Sequence, residues 1–151
     1  MEQYGSRQNE MSRGGSTPSK TVITHFSSRH DFHRLLENNP GLIIIKLGAT
    51  WCGPCKRIKP VLDGFFASSP DNVLCCDIDV DECADLYSYF KSKKMVNGIP
   101  VILLYKKGNI NFFPDDSITG ADPAELDKFF KRAGLHLKSL APVIERQGLL
   151  R

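Results

Sequence analysis

Cys52 and Cys55 are separated by two residues in the stretch ATWCGPCKRIKP, residues 49–60. Two thiols at that spacing can cycle between dithiol and disulfide, or supply half of a zinc site. Pro54 suits the first turn of a helix running from about 54 to 68, and a strand-like run ends just before the pair. Both sulfurs then sit at the positive end of a helix, where unpaired backbone N–H groups favour the thiolate, the nucleophilic form. Cys55, three residues on, reaches the first sulfur on the same helical face. Gly53 and Pro54 keep the turn tight, Trp51 shields the pair and offers apolar surface to a docking protein, and Lys56 and Arg57 add positive charge. Three readings stand: a redox couple, half of a zinc site, or an inert pair. The zinc reading lacks a second pair, because Cys75 and Cys76 are adjacent in a strand-like run and point to opposite faces. The strand–loop–helix setting speaks against an inert pair.

The elements that must position this pair follow from length and pattern. A chain of 151 residues is long enough for one domain with a real core. Charged residues make up 25% of it, and no run of about 20 apolar residues occurs, so no membrane span is expected. The N-terminus has no apolar core of the secretory kind, which makes the cytoplasm the expected location. The net charge of +3 is scattered, a poor footprint for nucleic acid. Five cysteines, an odd count in a chain expected to be cytosolic, argue against a structural disulfide framework.

Residues 1–20 are rich in Ser, Gly, Arg and Asn and are expected to be disordered. A short strand over 21–26 precedes a serine-capped helix over 27–39, which Pro40-Gly41 breaks. LIIIKLG, 42–48, is a continuous run built on three β-branched isoleucines and apolar but for Lys46, as a strand buried on both faces should be. After the helix that carries the cysteines, 72–80 reads as a buried strand and 81–94 as an amphipathic helix. VILLYKKG and NINFFP read as a hairpin joined at Lys107-Gly108, and 122–134 as a helix with an Asp cap and a closing Gly134. Strands separated by helices pair in parallel, whereas the late hairpin is antiparallel, which makes a mixed sheet with helices on both faces. Residues 135–151 form a tail with no clear period, and no internal repeat is present.

Trp51-Cys52-Gly53-Pro54-Cys55-Lys56 resembles the active-site motif of the thioredoxin family, and the likeness extends over about 21–134. Pro60 resembles the family's kink proline, and Gly98-Ile99-Pro100 resembles the loop whose proline is cis and faces the dithiol. Gly108 resembles the hairpin glycine, and Gly120 the glycine of the substrate groove. The connection over 109–119 is a few residues longer than usual. The resemblance implies a thioredoxin fold, α/β, with a thioredoxin-like domain over 21–134. It implies a protein-disulfide reductase in which Cys52 attacks, Cys55 resolves and Pro100 completes the catalytic set. Substrate would lie along Trp51, Gly53, Pro54, Gly98, Ile99, Gly120 and Ala121, held as an extra short strand. The only cofactor implied is the redox-active Cys52–Cys55 disulfide. The partners implied are disulfide-containing proteins and a thioredoxin-reductase-like enzyme or glutathione, without nucleic acid or membrane. For Pro100 and Gly120 the plainer alternatives are a strand-initiating proline and a turn glycine.

Two positions depart from the family pattern. The family usually carries a buried aspartate six residues before the first cysteine, where this chain has Lys46, and a tryptophan two residues later, where it has Gly48. The usual lysine partner maps to Cys75, with Asp77 two residues along on the same face. Lys46 can pair with Asp77 as a swapped version of that ion pair, snorkel to solvent, or act on the dithiol directly. As a cation it favours thiolate and raises the reduction potential; as a neutral amine it could accept the Cys55 proton. A less reducing dithiol than an ordinary thioredoxin is therefore expected, and Lys46 joins the candidate catalytic residues. Cys75 could serve as a third redox thiol or, with Cys76, as an apolar filler. Cys83, near a helix start, is expected to be partly exposed. The rivals to a reductase are a redox-weak binding or adaptor module in a larger assembly, which Lys46 and Gly48 keep open, and an oxidase or isomerase, which Gly-Pro between the cysteines disfavours.

Overall fold

The computed structural model describes residues 20–149. Apart from Lys20, the expected disordered extension lies outside them. The elements are β1 (Val22–Ile23), α1 (Arg29–Glu37), β2 (Leu42–Gly48), α2 (Gly53–Ser68), β3 (Val73–Asp79), α3 (Ala84–Ser92), β4 (Val101–Lys106), β5 (Asp116–Thr119) and α4 (Pro123–Leu149). One sheet of order β1-β3-β2-β4-β5 holds them together. β1, β3 and β2 pair in parallel, while β4 and β5 run antiparallel. The mixed sheet and its two helical layers are those expected from the alternation of patterns.

The central strand β2 is buried at every position. Its alternate side chains serve two cores. Ile43, Ile45 and Leu47 meet Phe32 and Leu36 of α1 and Leu86 and Phe90 of α3. Leu42 and Ile44 meet Ile58, Leu62 and Phe66 of α2 and Leu126, Phe129 and Ala133 of α4. Ser28 caps α1 by accepting the His30 N–H at 3.2 Å. No helix among the described residues is long and apolar enough to cross a membrane.

Two expected boundaries are overturned. NINFFP is a loop, and the second arm of the hairpin is Asp116–Thr119. The asparagines explain it, because their short side chains bind nearby backbone in place of a ladder. Asn109 Oδ1 accepts the Asn111 N–H at 2.9 Å, and Asn111 Oδ1 accepts the Phe113 N–H at 2.8 Å. Phe112 in this loop packs on the α1–α3 core, its ring 4.7 Å from that of Tyr89. Gly108, at φ +96°, makes the turn a side chain would strain. The second boundary is Gly134, which does not end the last helix. A glycine in a helix interior costs about 1 kcal/mol, while Phe129, Ala133 and Leu137 keep the buried stripe continuous past it. α4 therefore runs on into the expected tail, as far as Leu149.

Arg132 ties α4 to β5 through a two-pronged ion pair with Asp116, at 2.7 and 3.1 Å. Burial pushes the Asp116 carboxyl up, but the Arg132 hydrogen bond, the Ser117 N–H and the nearby positive charges outweigh it and hold it below the usual Asp value. A lowered folded-state pKa adds stability that is complete above the unfolded Asp value of about 3.9 and fades as pH falls through the folded one. Asp116→Asn should therefore cost about 1 kcal/mol at neutral pH and almost nothing in strong acid. Urea unfolding as a function of pH checks it.

Candidate active site

β2 delivers the chain to the loop Ala49-Thr50-Trp51, and Cys52 becomes the N-cap of α2. Its Sγ accepts the Cys55 N–H at 3.2 Å, one of the orphan donors of the helix start. The two cysteines are disulfide-linked with Cα atoms 5.2 Å apart, inside the ordinary range for a bridge. Cys52 keeps 6% of its surface exposed and Cys55 3%. Pro54 occupies the first turn, and Pro60 sits inside the same helix, where it removes a backbone donor.

Trp51 is 67% exposed, and its indole N–H donates to Asp81 Oδ2 at 2.8 Å. The ring thus stands as a fixed apolar face next to the dithiol. Ile99–Pro100 is a cis peptide, and the Gly120 N–H donates to the Pro100 carbonyl at 2.8 Å, which joins the Gly98–Pro100 loop to Gly120 and Ala121. Gly120 holds φ +101°, a conformation that side chains rarely adopt. Ile99 packs against the cluster that contains both cysteines. Ala121 lines a cleft with Arg57, Ile58 and Val61 of α2. Gly53 opens α2 between the two sulfurs, with nothing in the space a Cβ would take.

Lys46 lies under this helix start, 7% exposed, with Nζ 3.0 Å from Asp77 Oδ1. The swapped pair is formed, but the position across the ladder from Lys46 is Asp77 itself; Cys75 faces Ile44. Cys75 and Asp77 share a face of β3, and the strand register makes Asp77 the one opposite Lys46. Asp77 Oδ2 is also 3.6 Å from Lys59 of α2, which bonds Asp63 at 3.1 Å. The Asp63 hydrogen bond, opposed by partial burial and aided by the charges of Asp77 and Asp63, holds Lys59 above the usual Lys value. Lys46, Lys56, Lys59, Asp77 and Asp79 line a cleft of about 350 Å³ that reaches Cys55.

The other cysteines stand apart from this chemistry. Cys75 lies by the far end of α2, with Sγ 3.5 Å from Ser69 Oγ, so it is not beneath the dithiol. Burial pushes its thiol up, partly offset by Ser69 and Lys20. Burial raises Cys76 further, so both are packed, protonated fillers. Cys83 is buried at 2% exposure, contrary to the expectation of an accessible thiol, because it caps α3 against the core. Sequence reading missed Lys59 and Asp81. Lys59 is signalled by its place one helical turn past Cys55, and Asp81 by lying just beyond the strand end that neighbours the motif loop.

A disulfide-forming Cys-x-x-Cys at a helix start, beside an exposed tryptophan, defines a thiol-disulfide oxidoreductase. A family model described as thioredoxin matches residues 23–132. Thioredoxin-2 of Saccharomyces cerevisiae is 30% identical over 105 residues, 70% of this chain and 92% of that protein. Thioredoxin of Equus caballus is 33% identical over 115 residues, 73% of this chain and 97% of that protein. A structure from work on the thiol-resolving mechanism of yeast mitochondrial 1-Cys peroxiredoxin via glutathione/thioredoxin systems superposes with a TM-score of 0.60 at 31% identity, covering 76% of this chain and 99% of that one. The chain belongs to the thioredoxin family.

Proposed function

We propose that the chain reduces disulfides in other proteins, with Cys52 as the attacking and Cys55 as the resolving thiol. The observation that carries this assignment is the position of Cys52 as helix N-cap, its sulfur already accepting a backbone N–H that would hold a thiolate. In the reduced state, the Cys52 thiolate attacks one sulfur of a substrate disulfide. A Cys52–substrate bond forms, and the other substrate sulfur leaves as a thiolate that takes a proton from water. Cys55 then loses its proton and attacks Cys52. The Cys52–Cys55 bond forms, the second substrate thiol is released, and two electrons have passed to the substrate. An upstream dithiol reductase, or two glutathione thiols, returns the pair to its starting state. The reading places this work in the cytoplasm, where the glutathione poise keeps such dithiols reduced.

Substrate lies along Trp51, Gly53 and Pro54 on one side and Gly98, Ile99, Gly120 and Ala121 on the other. Pro100 sets the loop that presents Ile99 to an extended segment, and the positive φ of Gly120 keeps side-chain bulk out of its path. Insulin-disulfide reduction driven by dithiothreitol tests the assignment. Wild type accelerates the reaction over the reductant alone, and Cys52→Ser reduces the acceleration to background. A Cys52→Ser variant with wild-type turnover would remove Cys52 from the role.

A further inference from the structure

Gly48 ends the central strand directly under the cysteine-bearing helix. A Cβ built on it would lie 2.7 Å from Lys46 Cε, 3.0 Å from Lys46 Nζ and 3.0 Å from Cys55 Sγ. The ammonium and the second sulfur therefore face each other across a space one methyl group would overfill. Gly48 carries no positive φ that would reserve the position for glycine, so its value here is the room it leaves.

We propose that Lys46 sets the protonation of Cys55 by charge, and that Gly48 is the positioning residue that lets its ammonium approach the sulfur. The inference rests on Cys55 being the resolving thiol.

The charges around this point come from three elements. β2 contributes Lys46, β3 contributes Asp77 and Asp79, and α2 contributes Lys56 and Lys59. The Asp77 carboxylate is divided between Lys46 and Lys59, so one anion faces two cations. Lys59 is further engaged by Asp63 from its solvent side. Lys46, alone of these lysines, is buried, and its ammonium lies within about 6 Å of the sulfur, each being 3.0 Å from the same point above Gly48. A cation there lowers the free energy of the thiolate relative to the thiol, so Cys55 gives up its proton at lower pH. The proton leaves for water through the cleft beside Cys55, and the thiolate attacks the Cys52 sulfur. At pH values where Cys55 is ionised the same charge stabilises the reduced pair, so the equilibrium with glutathione shifts toward the dithiol. Asp77, 3.0 Å from the Lys46 ammonium, anchors it in the cleft that reaches Cys55.

Stopped-flow mixing of the reduced full-length chain with a dithiobis-nitrobenzoate disulfide resolves two releases of chromophore. The first reports attack by Cys52 and the second resolution by Cys55. The second release is followed against pH in wild type, Lys46→Met and Gly48→Ala, and each protein is equilibrated with glutathione. Both substitutions are expected to move the midpoint of the second release to higher pH by about one unit, which slows it about tenfold below the midpoint. In buffers above both midpoints, where Cys55 is ionised in the reduced pair, both also shift the glutathione equilibrium about tenfold toward the disulfide, equivalent to about 30 mV. Gly48→Ala keeps the Lys46 charge and carries the test alone if Lys46→Met does not fold. Midpoints and equilibria within twofold of wild type, with or without a change in melting temperature, overturn the proposal and leave Lys46 a structural ion pair. A wild-type chain with no second release contradicts the resolving role of Cys55 as well.

Discussion

Replacing Cys55 with serine should leave a chain that attacks once and stops. Cys52 keeps its seat at the start of α2, and the backbone N–H it accepts belongs to residue 55 whatever the side chain there. Attack on a substrate disulfide therefore survives. Release does not, because the serine hydroxyl is too weak an acid to supply the second nucleophile at neutral pH. In wild type that nucleophile is held three residues away on the same helix, with Cα atoms 5.2 Å apart. Well-oriented intramolecular groups act as if present at about 10⁵ M or more, far above any thiol in solution. Turnover with insulin should fall by about a thousandfold, and non-reducing electrophoresis should show the variant covalently joined to insulin chains. A Cys55→Ser variant that turns over at a tenth of the wild-type rate or better, without such adducts, would contradict the assigned order of attack.

The largest effect on stability should come from Phe32→Ala. The Phe32 ring is fully buried between α1, α3 and the sheet. It meets Phe26 at 5.4 Å, Tyr105 at 5.3 Å and Phe90 at 5.9 Å, all edge-on. Truncation removes the apolar area and leaves a cavity that rigid aromatic neighbours cannot close, a combination that costs about 3–5 kcal/mol. Domains of this size are stable by about 5–15 kcal/mol, so the urea midpoint should fall by about a fifth or more. Trp51→Ala, at a ring two-thirds exposed, should shift it far less and act on substrate turnover instead. A Phe32→Ala midpoint within the error of wild type would mean that this aromatic cluster is not the core of the α1–α3 layer.

What the sequence made legible was whatever depends on local period and local chemistry. The apolar run of β2, interrupted only by Lys46, announced a strand buried on both faces, and Pro54 after a strand announced the helix that Cys52 caps. The misreadings share a different cause. NINFFP alternates well enough for a strand, but Asn109 and Asn111 bind their own backbone, and Phe112 is drawn to the core by residues distant in sequence. Gly134 looks like a helix stop until Leu137 is seen to continue the buried stripe. The pairing of Lys46 with Asp77 was legible as a swapped ion pair and is formed, whereas which of Cys75 and Asp77 lies directly opposite Lys46 was not, because alternation fixes a face and only strand pairing fixes the register. Cys83 was expected near the surface because a helix start usually is; here the core lies against it. That Lys46 lies under the dithiol was legible from its place six residues before Cys52, but the room Gly48 leaves between the ammonium and Cys55 shows only in the packing.

The central claim is that Cys52 and Cys55 are one two-electron couple, and intact and peptide mass measurement across a series of glutathione redox buffers tests it most directly. The account predicts one cooperative transition in which the peptide spanning residues 47–56 loses two hydrogen atoms and becomes resistant to alkylation, while Cys75, Cys76 and Cys83 remain thiols throughout. Oxidation that joins any other pair first, or that leaves residues 52 and 55 separately alkylated in the most oxidising buffer, would contradict it.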